Sequence, residues 1–380
     1  MPLWRDVRVL RVAFQLAVLG GVGLLVVVFG SILADNLRAS RLIIGFGFLD
    51  QTSGIEISQS PIPYSSTDTF ARAFAVGVLN TLVVSVAGVV LATLLGVVVG
   101  VARLSSNWLA RNIAGGYVEV MRNTPLLVQL VLIVAVIRQL PGVAQSIEFP
   151  GSIFLNSRGL YMPRPEAGPG IWPWLAATVV VLAVAFVISR LSDRRRAAGR
   201  PTYAMGRLSL VAAVGVIVGG WILLGPVGFD VPARERFNFA GGLALSPSFT
   251  ALLVGLVIYT AAFIGEVVRG GIQAVRRGQV EAAHAIGLTP GQTLRLIVFP
   301  QALRIIVPPL TSQYLNLTKN SSLALAVGYA DLFAIGRTMA NQTGQPLSVI
   351  LLVMAIYLVI SLLTSLVMNL YNRRVQVLER

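Results

Sequence analysis

The amino-acid sequence predicts an all-α membrane protein with eight transmembrane helices and with both termini in the cytoplasm. Of its 380 residues, 56% are hydrophobic and only 12% are charged, and the mean hydropathy is +0.80. Several apolar runs exceed the roughly 18 residues that a helix needs to cross a lipid bilayer. The predicted spans are residues 12–33, 74–102, 117–137, 171–188, 208–227, 247–267, 301–323 and 347–371.

The positive charge is distributed unevenly between the two sides of this arrangement. The net charge is +15, from 29 arginines and one lysine, Lys319, against 15 acidic residues. In a soluble protein this excess would suggest nucleic acid, but in a membrane protein it is first a topology signal. With the N-terminus inside, the inner segments contain 18 basic residues and the outer segments contain 9. We therefore expect no nucleic-acid partner, and we place Glu281 in the cytoplasm.

Missing and rare residue types exclude several kinds of chemistry. Cysteine is absent and His284 is the only histidine, so disulfides, thiolate metal sites and multi-histidine metal sites are excluded. A phosphate-binding P-loop needs Gly-Lys followed by Ser or Thr, whereas Lys319 follows Thr318. We expect no metal and no cofactor in this chain, and no ATPase site of its own.

The first span is predicted to be a retained helix. The apolar core of a cleavable signal peptide would be shorter, and Leu33-Ala34-Asp35 is a poor cleavage site. The following stretch, to about residue 69, is rich in Gly and Pro and is predicted to be an external loop. Part of it is expected to lie on the membrane surface through an apolar patch of Ile43, Phe46, Phe48 and Leu49.

The next two spans carry small and polar residues. Gly96 and Gly100 have the spacing that lets two helices pack closely, and we interpret them as a packing surface. The third span contains the polar run Arg122-Asn123-Thr124-Pro125, in which Pro125 frees a backbone carbonyl.

The following segment, residues 138–170, is predicted to be an external loop. A basic run from Arg190 to Arg207 separates the fourth and fifth spans, and we interpret it as a cytoplasmic turn.

The polar stretch between the sixth and seventh spans predicts two short helices. Val280, Ala283 and Ile286 recur at helical spacing, and Gly287 follows where a helix commonly ends in a left-handed residue. The second helix is predicted from the residues that come next. Thr289 provides the N-cap, Pro290 the first helical position, and Gln292 the second half of a capping box.

This loop resembles the cytoplasmic loop of permease subunits in binding-protein-dependent ABC importers. The family pattern is Glu-Ala-Ala, three residues, Gly, nine residues, Ile, one residue, Leu or a similar residue, and Pro. The spacings all match, and the one departure is Phe299 in place of Leu. The matching residues are Glu281, Ala282, Ala283, Gly287, Ile297, Phe299 and Pro300. The resemblance implies that the loop docks into a groove on an ATP-hydrolysing subunit, whereas the alternative is an ordinary interfacial helix.

Residues 74–137 and 247–371 look like the five-helix permease core of polar amino-acid ABC importers, and the other three helices are additions to it. The resembling motifs are Leu79-Asn80-Thr81, Arg122 to Gln129, Gly265 to Ile272, and Lys319 to Leu323. The enlarged form is similar to the longer permease of the proteobacterial general L-amino-acid and glutamate/glutamine/aspartate/asparagine importers.

This resemblance implies an inner-membrane protein that works in the lipid bilayer with several partners. They are a second permease subunit, a dimer of ATP-binding subunits that uses the ATP, a periplasmic binding protein and an amino-acid substrate. The chain then divides into an extra helix and external loop (1–73), a first core part (74–140), an insertion (141–246) and a second core part (247–380) with its coupling loop (276–300).

Polar residues within or near the spans are candidates for the substrate pathway. A charge in a bilayer is costly unless it faces a cavity or a partner. The candidates are Asn123, Thr124, Glu266, Lys319 and Asn320. They are expected to match the ammonium and carboxylate groups shared by amino acids. The alternative is a snorkelling side chain or a structural ion pair, for instance between Glu266 and a nearby arginine, and we favour it for Arg269.

Three alternative functions stay open. A secondary amino-acid transporter would need no docking loop and often shows inverted repeats, which we do not find. A permease of another ABC importer substrate class would share the loop. A membrane-embedded enzyme would need paired carboxylates, a histidine cluster or a nucleophile motif, none of which the sequence shows. We therefore expect a transport subunit rather than an enzyme.

Overall fold

The computed structural model describes residues 7–39, 45–197, 205–236 and 238–376. Ile43 and part of the basic run from Arg190 to Arg207 lie outside these ranges. Within them the chain is mostly helical. The α-helices are α1 (Val7–Ala39), α2 (Phe70–Ala102), α3 (Trp108–Asn123), α4 (Leu126–Arg138), α5 (Ile171–Ala197), α6 (Met205–Leu224), α7 (Pro247–Gln273), α8 (Arg277–Ala285), α9 (Pro290–Thr293), α10 (Phe299–Asn320), α11 (Ala324–Val327), α12 (Leu332–Thr343) and α13 (Pro346–Gln376).

The structure also contains short strands, so the prediction of an all-α protein is wrong for residues 147–167 and 227–245. The strands are β1 (Ile147–Phe149), β2 (Ile153–Asn156), β3 (Gly159–Met162), β4 (Arg164–Ala167), β5 (Val227–Asp230), β6 (Ala233–Arg234), β7 (Phe239–Ala240) and β8 (Leu243–Leu245). Antiparallel pairing produces the sheet β1-β2-β3-β8 and the two-stranded sheets β4-β5 and β6-β7. Phe154, Tyr161 and Phe239 form a buried cluster. The pairings of β3 with β8 and of β4 with β5 join segments that are far apart in sequence, so they have no local sequence signature.

Six helices in the described ranges are long and apolar enough to cross a membrane. They are Leu10–Ile32, Phe70–Ala102, Ile171–Ser192, Pro247–Gln273, Pro290–Val327 and Pro346–Arg374. The apolar part of α6, Val211–Leu224, is shorter than these six. The total of eight spans and the cytoplasmic position of both termini therefore stay predictions.

The third predicted span is not one continuous helix. It consists of α3 and α4, which are separated by Thr124 and Pro125. Proline lacks a backbone N–H and disfavours helical conformation in the residue before it. The break therefore follows from Pro125, whose freed carbonyl was expected within one span from 117 to 137.

The chain forms two compact units, one comprising the residues up to Asn123 and from Leu256 onward, and the other comprising Thr124–Gly255. In the first unit, α2 packs tightly against α7. A Cβ atom added to Gly96 would lie 2.6 Å from the Cβ of Ile264. This contact confirms the interpretation of the glycine pair as a packing surface.

At the other end of α2 lies a core that the sequence analysis did not predict. Helix α12 packs there against α2 and α13, with Leu332 and Met339 fully buried. Phe48 is only 3% exposed and meets Phe70 edge-on, with ring centroids 6.2 Å apart. The prediction that Phe48 lies on the membrane surface is therefore wrong, because the short turn Gly47–Asp50 carries its ring into this core.

The second unit contains a long hairpin. Strand β4 leads directly into α5, and α6 leads directly into β5. The two strands pair, and the Gly168 N–H donates to the Pro226 carbonyl at 2.9 Å. The helices pack on each other, and the Trp174 indole N–H donates to the Ile217 carbonyl at 3.0 Å. The insertion predicted at 141–246 lies wholly within this unit.

Candidate functional site

The turn after α8 has the geometry that the sequence predicted. Gly287 has φ +82°, in the left-handed region. Its N–H donates to the His284 carbonyl at 3.0 Å, and the Leu288 N–H donates to the Ala283 carbonyl at 3.1 Å. These two bonds form a Schellman motif, which satisfies carbonyl groups at the end of the helix.

The next helix begins with the predicted capping box. The Thr289 side chain accepts a hydrogen bond from the Gln292 N–H at 3.4 Å, and the Gln292 Oε1 accepts one from the Thr289 N–H at 2.9 Å. Pro290 occupies the start of α9. A π-helical segment, Leu294–Val298, then connects α9 to α10. The direction in which the chain leaves α8 is therefore determined by hydrogen bonds on both sides of Gly287.

Most motif residues of this loop are exposed, whereas one alanine of α8 is buried. Ala283 is buried, at 3% exposed. Glu281 and Ala282 are exposed, and Ile286 is 76% exposed. Of the remaining motif residues, Ile297 is half-buried and Pro300 is exposed. Helix α8 thus exposes the Glu281 carboxylate, and a large apolar side chain, Ile286, is exposed directly after the helix ends.

A polar cavity of about 320 Å³ lies in the first unit. It is formed where α2 ends and where α3 and α7 pass each other. The lining residues are Arg103, Val118, Glu119, Arg122, Asn123, Phe263 and Glu266. The cavity wall therefore carries both acidic and basic groups.

Two arginines bind the Glu266 carboxylate. Arg103 forms an ion pair with Oε2, and Arg269 binds Oε1, with an Nε–Oε1 distance of 3.2 Å. Arg269 also donates to the Gln273 Oε1 at 2.7 Å. Both carboxylate oxygens of Glu266 thus bind arginines of the same protein. This arrangement is the structural ion pair that was considered as the alternative role for Glu266 and for Arg269.

The other charged groups of the cavity are less constrained. Arg122 lies over the ring of Phe263, with the guanidinium carbon 5.3 Å from the centroid. Within the described ranges, neither Arg122 nor Glu119 forms an ion pair. Arg103 and Glu119 were not among the predicted pathway residues. Arg103 directly follows an apolar run, and Glu119 lies three residues before Arg122, at helical spacing. These two positions could have identified them from the sequence.

The structure brings together some of the predicted pathway residues and not others. Asn123 and Glu266 line the same cavity. Thr124 belongs to the second unit, where its Oγ1 accepts a hydrogen bond from the Gln129 Nε2 at 2.6 Å.

Lys319 and Asn320 lie elsewhere, at the end of α10. Their neighbour Leu317 packs against Gly88, which is about 22 Å along α2 from Arg103 at 1.5 Å per residue. These two residues therefore do not line the Glu266 cavity.

A buried polar cluster occupies that other region of the first unit. Asp331 is fully buried and accepts hydrogen bonds from the Ala334 N–H at 2.8 Å and from the Tyr357 hydroxyl at 3.2 Å. The Thr81 Oγ1 accepts from the Leu332 N–H at 3.0 Å. Burial raises the pKa of Asp331 to about 6. This part of the Leu79-Asn80-Thr81 motif thus ties α2 to the start of α12.

Comparison with known proteins identifies the family. The family described as "Binding-protein-dependent transport system inner membrane component" matches residues 201–377. The chain is 46% identical to "General L-amino acid transport system permease protein AapQ" of Rhizobium johnstonii, over 91% of this chain and 87% of that protein. It is 43% identical to "Putative amino-acid ABC transporter permease protein YhdX" of Escherichia coli K12, over 91% and 88%.

A third relative is "Glutamate/glutamine/aspartate/asparagine transport system permease protein BztB" of Rhodobacter capsulatus. It is 43% identical, over 91% of this chain and 88% of that protein. These matches extend over nearly the whole chain, including the segments outside the motif-bearing core, and they confirm the resemblance inferred from the loop. The chain therefore belongs to the family of inner-membrane permease components of binding-protein-dependent transport systems, together with amino-acid ABC transporter permeases.

Proposed function

We propose that this chain forms half of the translocation path of an importer for polar amino acids and transmits the movement of a separate ATPase to that path. The observation that carries the proposal is the α8 loop. Its exposed carboxylate, Glu281, and its exposed Ile286 stand on a helix whose end is held by the Gly287 turn. A short helix with an exposed carboxylate and an exposed apolar side chain can bind in a groove on another subunit, as in helix-in-groove recognition.

The partners follow from the same proposal. A dimer of ATP-binding subunits would bind the α8 loop, and a periplasmic binding protein would deliver the cargo. A second permease would supply the other half of the path, so the proposed assembly is a heterodimer of permeases. Three relatives that match over most of this chain are named as permeases of amino-acid transport systems, and this supports an amino-acid cargo.

The polar cavity supports the same class of cargo. Amino acids carry an ammonium and a carboxylate group, and the cavity presents Glu119 and Arg122 without an ion-pair partner in the described ranges. Asn123 adds an amide that can donate or accept. We assign the cargo contacts to Glu119, Arg122 and Asn123. Glu266 instead positions Arg103 and Arg269 through its two ion pairs.

The test is uptake by the complete transporter in liposomes. Wild-type complex should import amino acids only when ATP is present on the ATPase side, and imposed ion gradients should not replace ATP. The Glu281→Ala change should abolish uptake together with cargo-stimulated ATP hydrolysis, because the loop loses its anchoring charge. Gln279→Ala, another change at an exposed position of α8, is the matched control and should behave like wild type.

Two outcomes would overturn parts of this proposal. Uptake driven by an ion gradient without ATP would favour a secondary transporter. ATP-dependent uptake that excludes every amino acid tested would leave the coupling role intact and reject the cargo class.

A further inference from the structure

An apolar groove follows the line where α2, α10 and α13 meet in the first unit. It has two adjoining parts, of about 460 and 350 Å³, which share Tyr314, Val367 and Met368 as lining residues. The larger part also touches α7 and the start of α10, through Ile272 and Phe299. We propose that this groove binds an acyl chain of an anionic phospholipid, with the headgroup at the arginine-bearing end of α13.

The wall of the groove consists mostly of carbon. Its hydroxyl groups are largely turned to protein partners: the Thr93 hydroxyl donates to the Val89 carbonyl at 2.6 Å and lies 2.9 Å from the Tyr314 hydroxyl. The Thr364 hydroxyl donates to the Ile360 carbonyl at 2.8 Å. With these groups satisfied internally, the groove favours a hydrocarbon chain over a polar ligand.

The length of the groove agrees with the thickness of a bilayer. On α2 its lining extends from Leu82 to Val101. At 1.5 Å per residue this is about 28 Å, close to the hydrocarbon thickness of about 30 Å. An acyl chain that begins at the α8–α9 side of the membrane therefore has room to lie fully within the groove.

Basic residues are concentrated at one end, although Lys319 directly follows the lining residue Thr318 at the other end. The helices α2, α10 and α13 contain no acidic residue, and every basic residue of α13 is in its last turn. Arg374 follows the lining residues Val367 and Tyr371 by seven and three positions, so it lies on the same face of α13. Arg295 directly follows the lining residue Leu294. Both arginines lie at the end that an anionic headgroup would occupy.

The surroundings support a lipid rather than a soluble partner. Val98 beside the groove on α2 and Leu366 beside it on α13 are exposed apolar side chains on predicted membrane spans. Only molecules within the bilayer can reach a groove between such surfaces. The competing occupant is a helix of a neighbouring subunit, and the experiment below separates the two.

The test uses the complete transporter, reconstituted in nanodiscs that contain phosphatidylglycerol and phosphatidylethanolamine, and native mass spectrometry after release into detergent. Wild type should retain phosphatidylglycerol in preference to phosphatidylethanolamine. Val97→Trp fills the groove and should remove the retained lipid, whereas Val98→Trp on the adjacent exposed position should not. Arg374→Gln should weaken retention of phosphatidylglycerol about fivefold, from the roughly 1 kcal/mol of one basic residue near an anionic surface, and Arg373→Gln should have less effect.

Melting temperatures identify any variant that fails to fold. If Val97→Trp is unstable, Met368→Trp provides a second filling change and Leu366→Trp its control. Equal lipid retention by the filling and control variants would overturn the proposal, as would equal retention of the two phospholipids by wild type. Disulfide cross-linking of Met368→Cys to a cysteine in a neighbouring subunit would also overturn it, because the groove would then hold a protein helix.

Discussion

Arg103 and Glu266 form an ion pair between the end of α2 and α7. The pair lies next to a close contact of the two helices, where a Cβ atom added to Gly100 would be 2.7 Å from the Gly265 carbonyl oxygen. The same helix crossing is therefore held by steric fit and by charge.

Glu266→Gln should lower the stability of the protein and reduce uptake of all cargo amino acids to a similar extent. The change leaves Arg103 and Arg269 without their counter-charge, but it removes no group that we assign to cargo binding. A double-mutant cycle with Arg103→Gln should give a coupling energy of about 1 kcal/mol in thermal unfolding, because the pair is only partly buried.

Glu119→Gln provides the contrast. It should raise KM for some amino acids and leave the melting temperature unchanged, because Glu119 forms no ion pair in the described ranges. A change of cargo preference in Glu266→Gln, without loss of stability, would instead assign cargo binding to Glu266.

Gly96→Leu should prevent normal assembly of the first unit. The new side chain would meet Ile264 at 2.6 Å from its first carbon, and overpacking of this kind typically costs about 1 to 3 kcal/mol. Yield after membrane extraction and the melting temperature measure the effect. Gly219→Leu is the control, since nothing lies within 4 Å of a Cβ atom at that position. Equal stability of both variants would show that α2 and α7 do not pack as described.

Gly287→Val should insert normally and lose coupled transport. The site has space for a side chain, so the expected cost comes from the backbone alone: a β-branched residue at φ +82° costs about 1 to 3 kcal/mol. The strain should change the angle between α8 and α9, and Glu281 would then no longer face its partner. Uptake and cargo-stimulated ATP hydrolysis in liposomes measure this effect.

The variants Gly287→Ala and Gly291→Ala calibrate that experiment. The first should be intermediate between wild type and Gly287→Val. The second lies in α9 without a positive φ and should be neutral or slightly stabilising. Full coupled transport by Gly287→Val would show that the loop is only a connector.

Stability should depend on pH through Asp331. Desolvation raises the pKa of this carboxyl from 3.8 to about 6, against hydrogen bonds from Ala334, Phe333 and Tyr357 that lower it. The folded chain therefore holds the proton more tightly than the unfolded chain, so stability falls as pH rises from about 4 to about 6 and then levels off. The full effect has an upper limit of about 3 kcal/mol.

Asp331→Asn should flatten this part of the pH profile and stabilise the protein at pH 7.5. Asparagine can still cap α12 by accepting from the Ala334 N–H, so the hydrogen bond is preserved while the charge is lost. Melting temperatures from pH 4.5 to 7.5 measure the difference. Asp50→Asn, at an exposed position, should leave the slope as in wild type. An unchanged slope in Asp331→Asn would assign the pH dependence to another group.

Cysteine labelling tests the orientation, because the chain contains no cysteine. We expect an impermeant thiol reagent to label Ser58→Cys on intact spheroplasts, and to label Gln279→Cys and Ala198→Cys only after lysis. Ser58 reports on the predicted external side around Gly54. Gly168, also predicted outside, is unsuitable because a Cβ atom there would lie 2.3 Å from a backbone oxygen. Labelling of Gln279→Cys on intact spheroplasts would show that the chain has the opposite orientation in the membrane.

The parts of the fold that could be predicted are those encoded by neighbouring residues. The Gly287 turn and the Thr289 capping box depend on side chains within four positions, and both are present as predicted. The spacing of Gly96 and Gly100 predicted a close contact between helices, but it did not predict that α7 would be the partner helix.

What the sequence analysis missed depends on distant residues. Arg103 and Glu266 are 163 positions apart, so their pairing has no local signature. The pairing of β3 with β8 likewise has no local signature. The burial of Asp331 could not be predicted either, because α2 and α13 cover it rather than its own helix.

The pairing of Met162 with Leu243 has a consequence for the architecture of the second unit. These residues face each other on β3 and β8, which run antiparallel. Paired residues on neighbouring strands have Cα atoms about 5 Å apart, a distance that a two-residue hairpin turn can close. Residues 163–242, with the whole α5–α6 hairpin, thus leave and rejoin the chain at almost the same point. They form a cassette that could be shortened, exchanged or carried to another permease while α4 and α7 keep their own connections.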